Sequence, residues 1–146
     1  MVDSSASLID PVDRGTNDWV KSVLRVVAGF LFLCHGASKL FGVFGGANGT
    51  GKRVSITTWP TGVSGCIELV GGTLILLGLF TQVAAFICAG EMAVAYFTVH
   101  IKRGLIPLQN KGELAVLFCF VFLYFAFSGA GPFSLDALRR RRTTTA

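Results

Sequence analysis

Six residues carry chemistry into stretches that are otherwise apolar: His35, Lys39, Glu68, Glu91, His100 and Glu113. Imidazoles, an ammonium and carboxylates can hold an anion, pass a proton or pair with one another. Glu91 is the sharpest case, with Gly90 and Met92 beside it in an apolar run. A charge in such a setting is costly, so it is paired or functional. Arg25, Ala28, Phe32, His35 and Lys39 follow steps of 3, 4, 3 and 4 and share one helix face. Cys88, Glu91, Ala95 and Thr98 share another. His100 lies nine residues beyond Glu91. At ~100° per residue that is about half a turn out of phase, so His100 joins Glu91 only if the helix end unwinds.

Two readings of these residues compete. One is a polar pocket that binds a ligand or relays protons. The other is a structural clamp in which carboxylates and cations fix helix register. Lys39 and Glu113 can also snorkel from helix ends. The histidines could ligate haem or a metal, but His35 and His100 fall at different depths, which argues against a haem, and no metal site is expected. Cys34, Cys66, Cys88 and Cys119 form no Cys-x-x-Cys motif and read as small apolar residues, although Cys34 and Cys66 fall at similar depth.

The elements that must position these residues follow from composition and hydropathy. The chain has 146 residues, 52% hydrophobic and only 14% charged, against about 25% charged in an ordinary soluble domain. Its mean hydropathy is +0.65. A small soluble domain needs more polar residues than this to cover its surface. The composition argues against a cytosolic enzyme, a nucleic-acid-binding domain and a disordered chain, and points to a lipid bilayer. The net charge of +5 implies no nucleic acid, because Arg139, Arg140, Arg141 and Arg142 form one terminal run. Such a run sets membrane orientation or attracts anionic head groups.

Four apolar segments follow a polar N-terminal stretch 1–19: about residues 20–41, 62–80, 83–101 and 112–130. Each approaches the ~20 residues that a helix needs to cross a ~30 Å hydrocarbon core. They are too long for strands and lack period-two alternation. The expected fold is therefore all-α, a four-helix transmembrane bundle running up-down-up-down over residues 20–137, with a basic tail 138–146. The N-terminal stretch lacks the basic start of a secretory signal. Asp18 is placed to cap the first helix, and Trp19 suits the membrane interface. A tight turn at Thr81-Gln82 joins the second and third segments, and longer loops make the other two connections.

Four crossings put both termini on one side. The arginine run places that side in the cytoplasm, although Lys39, Lys52, Arg53, Lys102, Arg103 and Lys111 fall on the other. In this topology His35, Lys39, Glu68, His100 and Glu113 all lie toward the long-loop end, Glu91 near mid-depth and Arg25 toward the opposite end. Gly46-Ala47-Asn48-Gly49-Thr50-Gly51-Lys52 matches most of a phosphate-binding loop, but Arg53 replaces the required Ser or Thr and the run follows a helix. No nucleotide is expected. Gly71-Gly72 and Gly78 suit close helix contact.

Five pieces, in order, resemble the DoxX family of small four-helix membrane proteins. They are His35-Gly36-x-x-Lys39-Leu40; Glu68-Leu69-x-Gly71-Gly72 with Leu76-Leu77-Gly78-Leu79-x-Thr81; Glu91-Met92-x-x-Ala95 with His100; Asn110-x-Gly112-Glu113; and Gly129-x-Gly131-Pro132-x-Ser134-Leu135-Asp136. The resemblance spans about residues 20–137. It implies that His35, Lys39, Glu68, Glu91, His100 and Glu113 are the family's polar positions. Members are grouped with membrane subunits of thiosulfate:quinone oxidoreductase systems or with redox-stress complexes. The resemblance thus implies a partner subunit, outside a catalytic core, in redox or quinone-linked chemistry of a bacterial inner membrane. The alternative is a structural subunit packing at the periphery of a larger membrane complex.

Overall fold

A computed structural model describes residues 14–144. Residues 1–13 of the polar N-terminal stretch and residues 145–146 of the basic tail lie outside the described residues. Among the described residues the regular structure is helical: α1 (Arg14–Phe41), α2 (Thr61–Leu77), α3 (Thr81–Ala95), α4 (Pro107–Asn110), α5 (Glu113–Ser128) and α6 (Leu135–Thr144). The four apolar segments become α1, α2, α3 and α5. A π-helical turn, Tyr96–His100, and a 3₁₀ turn, Ile101–Arg103, prolong α3.

One expectation needs correction, and two findings refine others. Asp18 does not cap the first helix: α1 is already helical at Arg14, the first described residue, and Asp18 lies inside it with its carbonyl accepting the Ser22 hydroxyl at 2.8 Å. Nothing in residues 14–19 breaks a helix, so the apolar segment recruits the polar turn before it. Second, two helical stretches have the length and hydropathy to cross a membrane, Gly15–Phe41 with 27 residues and Thr81–Arg103 with 23. The others are shorter: α2 has 17 residues and α5 has 16, about 25 Å each at 1.5 Å per residue. Gly78 stops α2 early. Its left-handed φ of 68° closes the helix end, with Gly78 N–H donating to the Ile75 carbonyl and Leu79 N–H to the Leu74 carbonyl. Third, the tail is helical from Leu135. Ser134 caps α6, accepting the Ala137 N–H at 3.1 Å while donating to the Gly131 carbonyl.

α1 packs along α2, and α3 packs along α5, each pair antiparallel. The first contact is a glycine seam. A Cβ on Gly29 would lie 2.5 Å from the Leu76 backbone nitrogen, one on Gly72 2.5 Å from that of Leu33, and one on Gly36 closer still to that of Leu69. Only hydrogen side chains permit this backbone approach. Phe32 joins the two pairs, with its ring centroid 4.6 Å from that of Phe122 and 5.3 Å from that of Phe118. Ile75, Ala85, Cys88 and Phe125 complete a core without solvent exposure. The outward faces are apolar too: Val27, Phe30, Phe86, Val94, Phe120 and Phe127 are all exposed.

α6 is tied to the α2–α3 turn. The Asp136 carboxylate accepts the Phe80 and Thr81 N–H groups, both at 2.9 Å, which satisfies amides that the start of α3 leaves free. Its own N–H donates to the Gly78 carbonyl at 2.8 Å. The rings of Trp19 and Phe133 meet at a tilt with centroids 5.7 Å apart, so the first turns of α1 and the approach to α6 share one end of the molecule.

The seam makes Gly72→Ala destabilising, by about 1–3 kcal/mol. Gly90, whose Cβ would meet nothing within 4 Å, gives the opposite sign: Gly90→Ala stabilises by roughly 0.5–1 kcal/mol. Unfolding in detergent measures both. Burial alone would raise the Asp136 carboxyl, but the Thr81 and Phe80 amides, with Arg140 nearby, hold it below its ordinary value of 3.8. A lowered folded value means that the contact stabilises above the ordinary value and fades as pH falls through the folded one. The gap in melting temperature between wild type and Asp136→Asn should therefore be full at neutral pH and close below about pH 4.

Candidate functional site

The α1–α2 seam brings the last turn of α1 against the first turns of α2. Lys39 lies there, and its Nζ is 2.7 Å from Glu68 Oε1. The same ammonium donates to Ser64 Oγ at 2.8 Å. Ser64 in turn donates to Glu91 Oε1 at 2.8 Å. Ser64 and Glu68 are four residues apart on α2 and share a face. The hydroxyl therefore links a cation on α1 to a carboxylate on α3. Glu68 is 3% exposed and the Lys39 side chain 23%.

The layer holds one ammonium and two carboxylates. Glu68 Oε2 and Glu91 Oε2 are both buried without a hydrogen-bond partner among the described residues. A buried carboxylate oxygen wants a donor. The arrangement can accept one further proton, or a hydroxyl or amine that donates to these oxygens.

The six candidate residues thus divide. Lys39, Glu68 and Glu91 meet. His35 lies beside them but is exposed, with its ring edge-on to Phe118 at 6.0 Å. His100 does not join Glu91. Its Nδ1 is 3.1 Å from the Asn110 carbonyl and its ring stacks on Tyr96 at 6.4 Å. The π-helical turn changes the phase of the helix end, yet His100 serves the loop after α3. Glu113 is exposed on the first turn of α5.

Sequence reasoning missed two residues. Ser64 is the bridge; its signal is its i,i+4 spacing from Glu68 at matching depth. Asn110 is wholly buried and organises the loop, donating to the Gly104 carbonyl at 2.7 Å and accepting the Gly112 N–H at 2.7 Å. Arg25 has a different role from the other charges. It is 2% exposed, and its guanidinium donates to the carbonyls of Ile75, Leu76, Ala130 and Phe133 at 2.6–2.9 Å. A cation is thereby fixed at the carbonyl end of α2.

The glycine-rich run after α1 closes on itself. Ala47 N–H donates to the Lys52 carbonyl at 2.9 Å, and Gly51 N–H to the Gly45 carbonyl at 2.7 Å. Val54 N–H donates to the Lys39 carbonyl at 2.7 Å, so this loop folds back over the α1 end that carries Lys39.

The DoxX family model matches residues 20–101. A Haemophilus influenzae protein, described as an uncharacterized protein, is 44% identical over 120 residues, covering 77% of this chain and 85% of the relative. A Bacillus subtilis protein named "Putative oxidoreductase CatD" is 30% identical, covering 78% and 82% respectively. "Uncharacterized membrane protein Rv3486" of Mycobacterium tuberculosis is 29% identical, covering 83% and 82%. No solved structure matches the chain.

Removing the ammonium strands Glu68 in the interior. Lys39→Met should lower stability by about 3–5 kcal/mol. The double variant Lys39→Met/Glu68→Met should recover most of that loss. A double-mutant cycle of unfolding in bilayers or detergent reads the coupling.

Proposed function

This chain belongs to the DoxX family of membrane proteins, and we propose that it is a partner subunit in redox or quinone-linked chemistry of a bacterial inner membrane. In this reading α1, α2, α3 and α5 cross the bilayer as an up-down-up-down bundle. The shorter α2 and α5 are completed at their ends by flanking apolar residues such as Phe80 and Phe133. Both termini face the cytoplasm, following the arginine run of α6.

The observation that carries the reading is the Lys39–Ser64–Glu91 chain with Glu68, because it leaves two buried carboxylate oxygens ready for a donor. A reduced carrier with a hydroxyl group fits them: Glu68 Oε2 or Glu91 Oε2 accepts its hydrogen bond, and Ser64 passes charge compensation from Lys39. His35, exposed beside Phe118, lies next to this layer. The printed name of the Bacillus subtilis relative, an oxidoreductase, supports the redox class.

The second reading is an accessory subunit that packs at the edge of a larger complex. The apolar outer faces and the purely structural use of Arg25 favour it. The two separate in cells. Deleting the gene should shift the quinol-to-quinone ratio of the membrane, and the wild-type gene should restore it. Glu91→Gln, expressed to the same level, should not. Full restoration by Glu91→Gln would assign the polar layer to packing and leave the accessory reading standing.

A further inference from the structure

A second polar feature lies at the opposite end of the molecule. An open cleft of about 450 Å³ forms where the α2–α3 turn meets α6. Phe80, Gln82 and Val83 line one side, and Arg139, Arg140 and Thr143 line the other. The cleft's one carboxylate, Asp136, already has each oxygen on a backbone amide at the start of α3. The lining thus carries two arginines against one carboxylate, and Arg140 also donates its Nε–H to the Asp136 main-chain carbonyl at 3.4 Å. Arg139 is also braced, its guanidinium 4.7 Å above the Phe80 ring. From the mouth of the cleft the exposed side chains of Val83, Phe86 and Ile87 continue along α3.

A cationic mouth that opens onto an apolar helix face has the chemistry of a phospholipid turned inside out. We propose that this cleft binds the headgroup of an anionic phospholipid. The phosphodiester sits between Arg139 and Arg140, the second N–H of the Gln82 amide donates to it, and an acyl chain runs along Val83 and Phe86. The proposal rests on residence in a membrane and not on the redox reading, so either can fail without the other. It also gives α6 a purpose that orientation alone does not supply. Asp136 holds the helix against the turn so that its first arginines point at one lipid rather than at the bilayer surface in general.

The test uses the full chain in neutral detergent, with retained lipid counted by native mass spectrometry during titration with phosphatidylglycerol. Phosphatidylcholine of the same chain length and inorganic phosphate serve as the other probes. Phosphatidylglycerol should bind saturably at one site and phosphatidylcholine should not. The double variant R139Q/R140Q should weaken binding at least about tenfold. R141Q/R142Q removes the same charge outside the cleft and should leave binding nearly unchanged. Equal weakening by both pairs would mean diffuse electrostatic attraction and would overturn the site. Displacement of phosphatidylglycerol by inorganic phosphate at equal concentration would make the ligand a soluble anion and overturn the lipid. Should R139Q/R140Q disturb α6, T143E decides instead: it keeps both arginines but adds a carboxylate to the cleft rim, and unchanged lipid binding in that variant overturns the proposal.

Discussion

Gly29 and Gly36 on α1 face Gly65 and Gly72 on α2, and the two backbones approach until no Cβ would fit at three of the four positions. Gly65 is the looser one, its Cβ meeting the Leu40 side chain at 3.1 Å. Arg25 and Lys39 both hang on this approach. Two cations of α1 bracket the seam, Arg25 at one end and Lys39 at the other, fourteen residues and roughly 21 Å apart. Wider separation of the helices would take Lys39 from Glu68 and Arg25 from the carbonyls of Ile75 and Leu76 together.

The two cations solve the same problem in different ways. In lipid, a charge has to find its partners within the protein. Arg25 closes the end of α2 through four hydrogen bonds, all of which end on backbone carbonyls, so this end is a joint. Lys39 meets a carboxylate and a hydroxyl, and the chain continues to a second carboxylate on α3. That end is over-supplied with acceptors. A joint spends its cation on the main chain, whereas a binding or proton-handling layer needs charged acceptors left over. The contrast between these two ends, inside one small bundle, is the physical basis for placing function at the Lys39 end.

Much of this was legible in the residues. The hydropathy of residues 20–41 and 83–101 defined the two long rods, and the 3, 4 spacing through Arg25, Phe32 and Lys39 identified the inward face of α1. The depth match of Lys39 and Glu68 was visible as well, whereas Glu91 was expected nearer mid-depth and reaches them through Ser64. Other features were not, for identifiable reasons. Ser64 looks like one more small polar residue near a helix start until α1 and α3 are both placed against it. Arg25 pairs with carbonyls, which every residue possesses and which therefore leave no mark in the sequence. His100 turned away from Glu91 because Asn110, ten residues further on, offers its carbonyl. The helix in the tail depends on its Ser134 cap and on contacts with the α2–α3 turn. Hydropathy does not record either.

The central claim is that Lys39, carried on a long apolar helix, is ion-paired with Glu68 inside the bundle when the protein is in a bilayer. Solid-state NMR of the labelled protein in lipid can detect the dipolar contact between the Lys39 side-chain nitrogen and the Glu68 carboxyl carbon. The expected result is a strong cross-peak, lost in Glu68→Gln and retained in Glu91→Gln. A Lys39 amine that exchanges freely with water and shows no carboxyl contact would contradict it.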